Sequence, residues 1–138
     1  MTSSILPSDD KTGPLVKTHH ESFVWIDSET RAGVRFRIVR MSVGRRIELA
    51  KRIRESGRRL EFLEAGSDVR DKLDAAVLKA EIDRVYLEWG LEAIEGLKID
   101  GEEATPALAI EKGPADLAAE ILAKIRGECG LSENERKN

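Results

Sequence analysis

Between Ser42 and Gly90 apolar residues return every three or four positions, and the rhythm breaks once, at Ala65-Gly66. That period belongs to helices with an inward face, so the middle of the chain is committed to two long helices joined by a short turn. Such a pair runs antiparallel. In the first, Ser42 stands at the N-cap, and Val43, Ile47, Ala50, Ile53, Gly57, Leu60 and Leu63 form the stripe, with Gly66 placed for a left-handed cap. The second opens on Ser67 or Asp68 and carries two stripes: Val69, Leu73, Ala76, Ala80 and Leu87, beside Leu78, Ile82, Val85 and Trp89. A helix that is apolar around so much of its circumference is expected at the centre of the fold.

On either side of this helical block the pattern changes. Ser22 to Ile26 is aromatic and β-branched, and Val34 to Arg40 alternates apolar with basic residues, which predicts two strands of a hairpin closed by Asp27 to Gly33. Val34, Phe36 and Ile38 then face the core, while Arg35 and Arg37 make the outer face strongly cationic. Past Gly90, Asp100-Gly101 between two short β-like runs signals a tight hairpin. Gly113-Pro114 opens a last helix with Leu117, Ile121, Leu122 and Ile125 inward, ended by Gly127 and Gly130. The expected fold is α+β and mainly α: an N-terminal β-hairpin, two long antiparallel helices, a short Asp-Gly hairpin and a C-terminal helix. Residues 1–21 are expected as a flexible arm, 22–130 as one globular domain and 131–138 as a polar tail.

A chain of 138 residues buries roughly two thirds of its unfolded surface, so it needs no disulfide or metal to fold. No stretch approaches the roughly 18 consecutive apolar residues of a membrane span. Met1 to Pro14 shows neither the basic nor the apolar region of a secretory signal, and the lone Cys129 fits a reducing compartment, so a cytoplasmic protein is expected. Enzyme signatures are missing: there is no glycine-rich phosphate loop, no G-x-S-x-G, no H-E-x-x-H and no C-x-x-C pair. His19-His20 sit in the polar arm without further ligands, and Cys129 has no histidine near it in sequence to act as its base. Neither a catalytic residue, a cofactor nor a metal is expected. Trp25 and Trp89 both fall in core patterns.

Charge is unevenly distributed. Residues 31–59 hold eleven Arg and Lys against Glu48 and Glu55, a net +9, whereas residues 60–138 carry a net −9. Arg35, Arg37 and Arg40 continue into Arg45, Arg46, Lys51, Arg52, Arg54, Arg58 and Arg59, which predicts a contiguous basic surface. Such a surface has three readings: neutralisation by the acidic later helices, docking of an acidic protein partner, or contact with nucleic-acid phosphates. No aromatic residue interleaves the helical cations, which disfavours the last. Arg35, Arg37, Arg45, Arg52 and Arg59 are the candidate docking cations.

From Trp89 onward the chain carries Trp89-Gly90-Leu91, then Gly96-Leu97-x-Ile99-Asp100-Gly101-x-x-Ala104-Thr105, then the helix opened by Gly113-Pro114. It ends Cys129-Gly130-Leu131-Ser132-x-x-Glu135-Arg136-Lys137-Asn138. In style and order this resembles the small tail assembly chaperones of tailed bacteriophages and prophages, over residues 34–138. The resemblance implies a non-catalytic, mostly helical protein that binds the tape measure protein, keeps it soluble, helps recruit tail tube subunits and is absent from the finished virion. Some members of that family carry a frameshifted C-terminal extension. The family offers no residue-level signature to transfer, so the candidate cations rest on charge alone. Self-association through the second helix and a small nucleic-acid-associated protein are the alternatives kept beside it.

Overall fold

The computed structural model describes residues 17–130. The polar tail expected over 131–138, and residues 1–16 of the expected arm, lie outside the described residues. Ser42 caps helix α1 (Val43–Glu64) by accepting the Arg45 N–H, and Asp68 caps helix α2 (Val69–Gly90) by accepting the Arg70 N–H. Each helix has 22 residues, so each is about 33 Å long at 1.5 Å per residue. Gly66 does not adopt the expected left-handed conformation; Ala65 ends α1 in the right-handed region. A Cβ on Gly66 would displace only the Asp71 carboxylate, the far end of a flexible side chain.

Strands β1 (Phe23–Asp27), β2 (Arg35–Val39) and β3 (Leu91–Glu95) make one antiparallel sheet in the order β1-β2-β3. The predicted N-terminal hairpin is therefore present, and it gains a third strand that follows α2 without a linker. Strands β4 (Lys98–Ile99) and β5 (Glu102–Glu103) form the small hairpin, with both Asp100 and Gly101 at positive φ, as a two-residue primed turn demands. Thr105 and Pro106 then start a short helix α3 (Pro106–Lys112), which the sequence reading had not separated from the last helix, α4 (Ala115–Glu128). Gly127 lies inside α4, and only Gly130 takes the left-handed turn past its end.

The core sits between the inner face of β2 and one side of α4. Phe36, Ile38, Leu117, Ile121 and Ile125 are the most completely enclosed side chains. Gly90 permits this packing, since a Cβ there would lie 2.8 Å from two side-chain carbons of Ile125. Gly96 is obligatory as well: its φ is +86°, and a Cβ would strike the carbonyl oxygen of Gly33.

The long helices are less buried than their sequence implied. On α1 the inward line is Leu49, Ile53, Leu60 and Leu63, whereas Val43 and Ile47, expected on the stripe, are 78% and 52% exposed. Only α2 covers α1 to any extent, and one neighbouring helix can hide only a narrow strip. Along α2, burial on several sides is confined to the C-terminal half, at Ile82, Tyr86, Leu87 and Trp89. Ala75 and Leu78 face α1 and are buried apart from the main core, while Val69, Leu73 and Val77 are exposed. So α2 is central at one end and an outer arm at the other. Among the described residues no helix is long and apolar enough to cross a membrane.

Polar contacts fasten the parts together. Glu64 pairs with Lys79 at 3.3 Å across the helical hairpin, and Asp83 pairs with Arg126 at 2.7 Å between α2 and α4. The loop between β1 and β2 is clamped onto α4: Glu120 accepts from the Ser28 hydroxyl at 2.7 Å, the Glu29 N–H at 2.6 Å and the Thr30 hydroxyl at 2.8 Å. Burial raises the Glu120 carboxyl, but these donors outweigh it and hold the pKa below the ordinary glutamate value. Beside it, the Arg31 hydrogen bond lowers Asp116.

Two outcomes follow from this packing. Ile125→Ala should cost about 2–5 kcal/mol in urea unfolding, while Val43→Ala should change stability by about 0.5 kcal/mol or less. Because Glu120 is depressed only when folded, its contribution is complete above the unfolded glutamate pKa and is lost as pH falls through the lower folded value. Glu120→Gln should therefore flatten part of the acid limb of stability against pH, read by denaturant midpoints across that range.

Candidate functional site

The outer face of the sheet brings together residues from three elements. Register sets Trp25 opposite Arg37 and Asp27 opposite Arg35 on β1 and β2, and sets Glu95 opposite Arg35 on β3. The Arg35 guanidinium lies 4.1 Å from the centroid of the Trp25 ring. Arg37 follows between two rings, 5.6 Å from Trp25 and 4.9 Å from Phe23. Arg45, in the first turn of α1, completes the series 5.4 Å from the same Phe23 ring. Cations and rings thus alternate in a ladder: Arg35, Trp25, Arg37, Phe23, Arg45. Each exposed cation–π contact contributes on the order of 0.5–1 kcal/mol.

Hydrogen bonds at the start of α1 hold Arg45 in that ladder. The Met41 N–H donates to Glu128 at 3.0 Å and the Arg46 guanidinium donates to the Cys129 carbonyl at 3.2 Å, fixing the first turn of α1 on the end of α4. Trp25 departs from expectation, since it lies on the outer face beneath Arg35 and outside the core. All of Phe23 to Ile26 are apolar, so alternation could not tell the two faces of β1 apart. Trp89 is buried, as expected.

The strongly cationic strand face is also corrected. Arg35 donates to Glu95 at 2.8 Å, and Arg37 reaches Glu92 at 3.5 Å, so β3 supplies carboxylates that offset both charges. The Nε of Arg37 is buried with no hydrogen-bond partner, which leaves ring stacking and Glu92 to hold that side chain.

Of the five sequence-selected cations, Arg35, Arg37 and Arg45 come together and two do not. Arg52 pairs with Glu48 at 3.7 Å on α1 itself. Arg59 stands near the far end of α1, beside Arg58 and Phe62. Arg45, Arg52 and Arg59 do share one side of the helix at seven-residue spacing, but Glu48 and Glu55 interleave them. Lys51, Arg54 and Arg58, which the sequence reading placed in its basic surface without selecting them as candidates, are exposed at three- and four-residue steps, and among the described residues none of them forms an ion pair. The spacing itself was the available signal.

Other chemistry is sparse. His19 and His20 are exposed, and among the described residues no group of three or more His, Cys, Asp or Glu is placed to hold a metal. Burial pushes the Cys129 thiol up and leaves it poorly ionised at neutral pH. Compared with protein-family models, with curated proteins and with solved structures, the chain matches none. Its class is therefore defined by its own fold: a mainly helical α+β protein with an arginine-aromatic sheet face.

The two tryptophans provide a check on this face. A Trp89→Phe protein, which emits from Trp25, should be quenched readily by iodide, an anion the neighbouring arginines attract. A Trp25→Phe protein should be shielded. Equal quenching of the two would contradict the placement of Trp25.

Proposed function

We propose that this chain is a non-catalytic assembly chaperone of a phage or prophage tail. It acts in the bacterial cytoplasm, holds the tape measure protein in solution and helps bring tail tube subunits to it. The observation that supports this reading most directly is the ladder of Arg35, Trp25, Arg37, Phe23 and Arg45; on another side of α1, Lys51 and Arg54 are exposed and form no ion pair among the described residues. Arginine and aromatic side chains are the groups that dominate protein-protein hot spots. A face of rings and oriented guanidinium groups, its strand charges offset by Glu92 and Glu95, suits a helical segment with an apolar side, and the exposed α1 cations speed the capture of an acidic one. The order of motifs from Trp89 onward supports the same reading by resemblance.

A second reading is favoured by the same interleaving of rings and guanidinium groups. A small nucleic-acid-associated protein would stack bases on Trp25 and Phe23 and place phosphates along Lys51, Arg54 and Arg58.

Affinity capture of the tagged chain from its own producing cells, at two salt concentrations, separates them. The chaperone reading expects a long helical tail protein or a tube subunit in the eluate, with nucleic acid absent. Reversal of Arg45, Lys51 and Arg54 to Glu should weaken that capture about tenfold or more while the far-ultraviolet circular dichroism is unchanged. Nucleic acid that falls away steeply with salt, with no tail protein, overturns it in favour of the second reading.

A further inference from the structure

The outer half of the α1–α2 hairpin leaves apolar side chains uncovered in an ordered arrangement. Phe62 is 79% exposed and Val77 60%. Together with Leu63 and Leu78 they floor one open groove that runs along the hairpin. Its two rims have opposite charge. Arg58 and Arg59 stand on the α1 rim, with Glu55 at its inner end, and Asp74 and Glu81 stand on the α2 rim. Among the described residues none of these five side chains has an ion-pair partner, although Glu64 and Lys79 on the same hairpin do pair.

We propose that this groove is the contact face of a homodimer, in which a second copy of the chain lays its own hairpin against it about a twofold axis parallel to the helices. Under that axis α1 of one copy runs antiparallel to α2 of the other at the same height. Arg58 and Arg59 then meet Asp74 and Glu81 of the second copy, two attractive charges against the one like-charge approach of Glu55 at the inner end, and by symmetry the contact is made twice. The four apolar floors close into the centre of a four-helix bundle, the standard solution for two amphipathic hairpins. The alternative face-to-face arrangement sets α1 on α1 and brings arginine against arginine, so the charge pattern selects one dimer from two. A single amphipathic helix from another protein could cover the floor, yet it would not present two rims of opposite sign at the hairpin's own spacing. A second copy does. The inference stands independently of the chaperone reading, since the ladder on the sheet is not part of this groove.

Sedimentation equilibrium of the full chain over a concentration series tests it. The mass should approach twice the 15.4 kDa of one chain. Arg58→Glu with Arg59→Glu, and separately Asp74→Lys with Glu81→Lys, should each raise the dissociation constant about tenfold or more. All four substitutions together exchange the rims and should restore the dimer. Circular dichroism should show that each variant keeps its helices, as these surface positions allow. A chain that stays monomeric throughout, an assembly indifferent to both double variants, or a fourfold variant that fails to reassociate overturns the proposal, as does a groove occupied only by a foreign helix.

Discussion

The contact between Gly90 and Ile125 sets how near the C-terminal helix can come to the long second helix. With no Cβ in the way, Ile125 reaches the α2 backbone, and Ile121 and Leu117 continue the same line of α4 into the core that Phe36 and Ile38 enter from β2. Because Leu91 is the next residue, this contact also places the start of β3. Glu92 and Glu95 follow from that placement, and they are the carboxylates that reach Arg37 and Arg35. A single missing methyl group in the interior thus decides which arginines on the exterior are neutralised.

Long helices and tight turns were the readily legible parts. The caps at Ser42 and Asp68 and the Asp100-Gly101 turn follow local rules that no tertiary contact overrides. Strand β3 was hidden for a physical reason. A register shift beside Arg37 and Ile38 inserts an extra residue, so Leu91 and Ile94 are buried three positions apart, a helical spacing within a strand. Helix α3 has only seven residues, too few for a period to show. The apolar stripes of α1 and α2 were real in the sequence, but a stripe tells which face could be buried and says nothing about whether a neighbour exists along its whole length. Leu73 and Val77 are exposed because the sheet and α4 do not extend to them, whereas Val43 and Ile47 lie on the side of α1 turned away from its inward line of Leu49 and Ile53.

The candidate site was half legible. Cation counts pointed to β2 and α1, and three of the five selected arginines do converge. Pairing of Arg35 and Arg37 could not be foreseen while β3 was unread, and the aromatic members of the ladder were masked by the uniformly apolar run of β1. The outcome is a face whose strand cations are locally balanced and oriented by rings, beside a helix whose cations are unbalanced. Orientation and net field are thereby carried by different elements, a separation that total charge could not reveal.

The position of β3 after α2 has a kinetic side. Strand β2 finds β1 through a short loop, but it meets β3 only across the whole helical hairpin, a separation of 55 residues between Arg37 and Glu92, which form an ion pair. Closing so long a loop from an unstructured chain carries a substantial entropy cost. When α1 folds back on α2, the ends of that loop are delivered side by side, and the remaining search is short. The exposed hairpin is in this sense a folding device for the sheet. Weakening the Glu64–Lys79 end of it would slow completion of a sheet that it never touches.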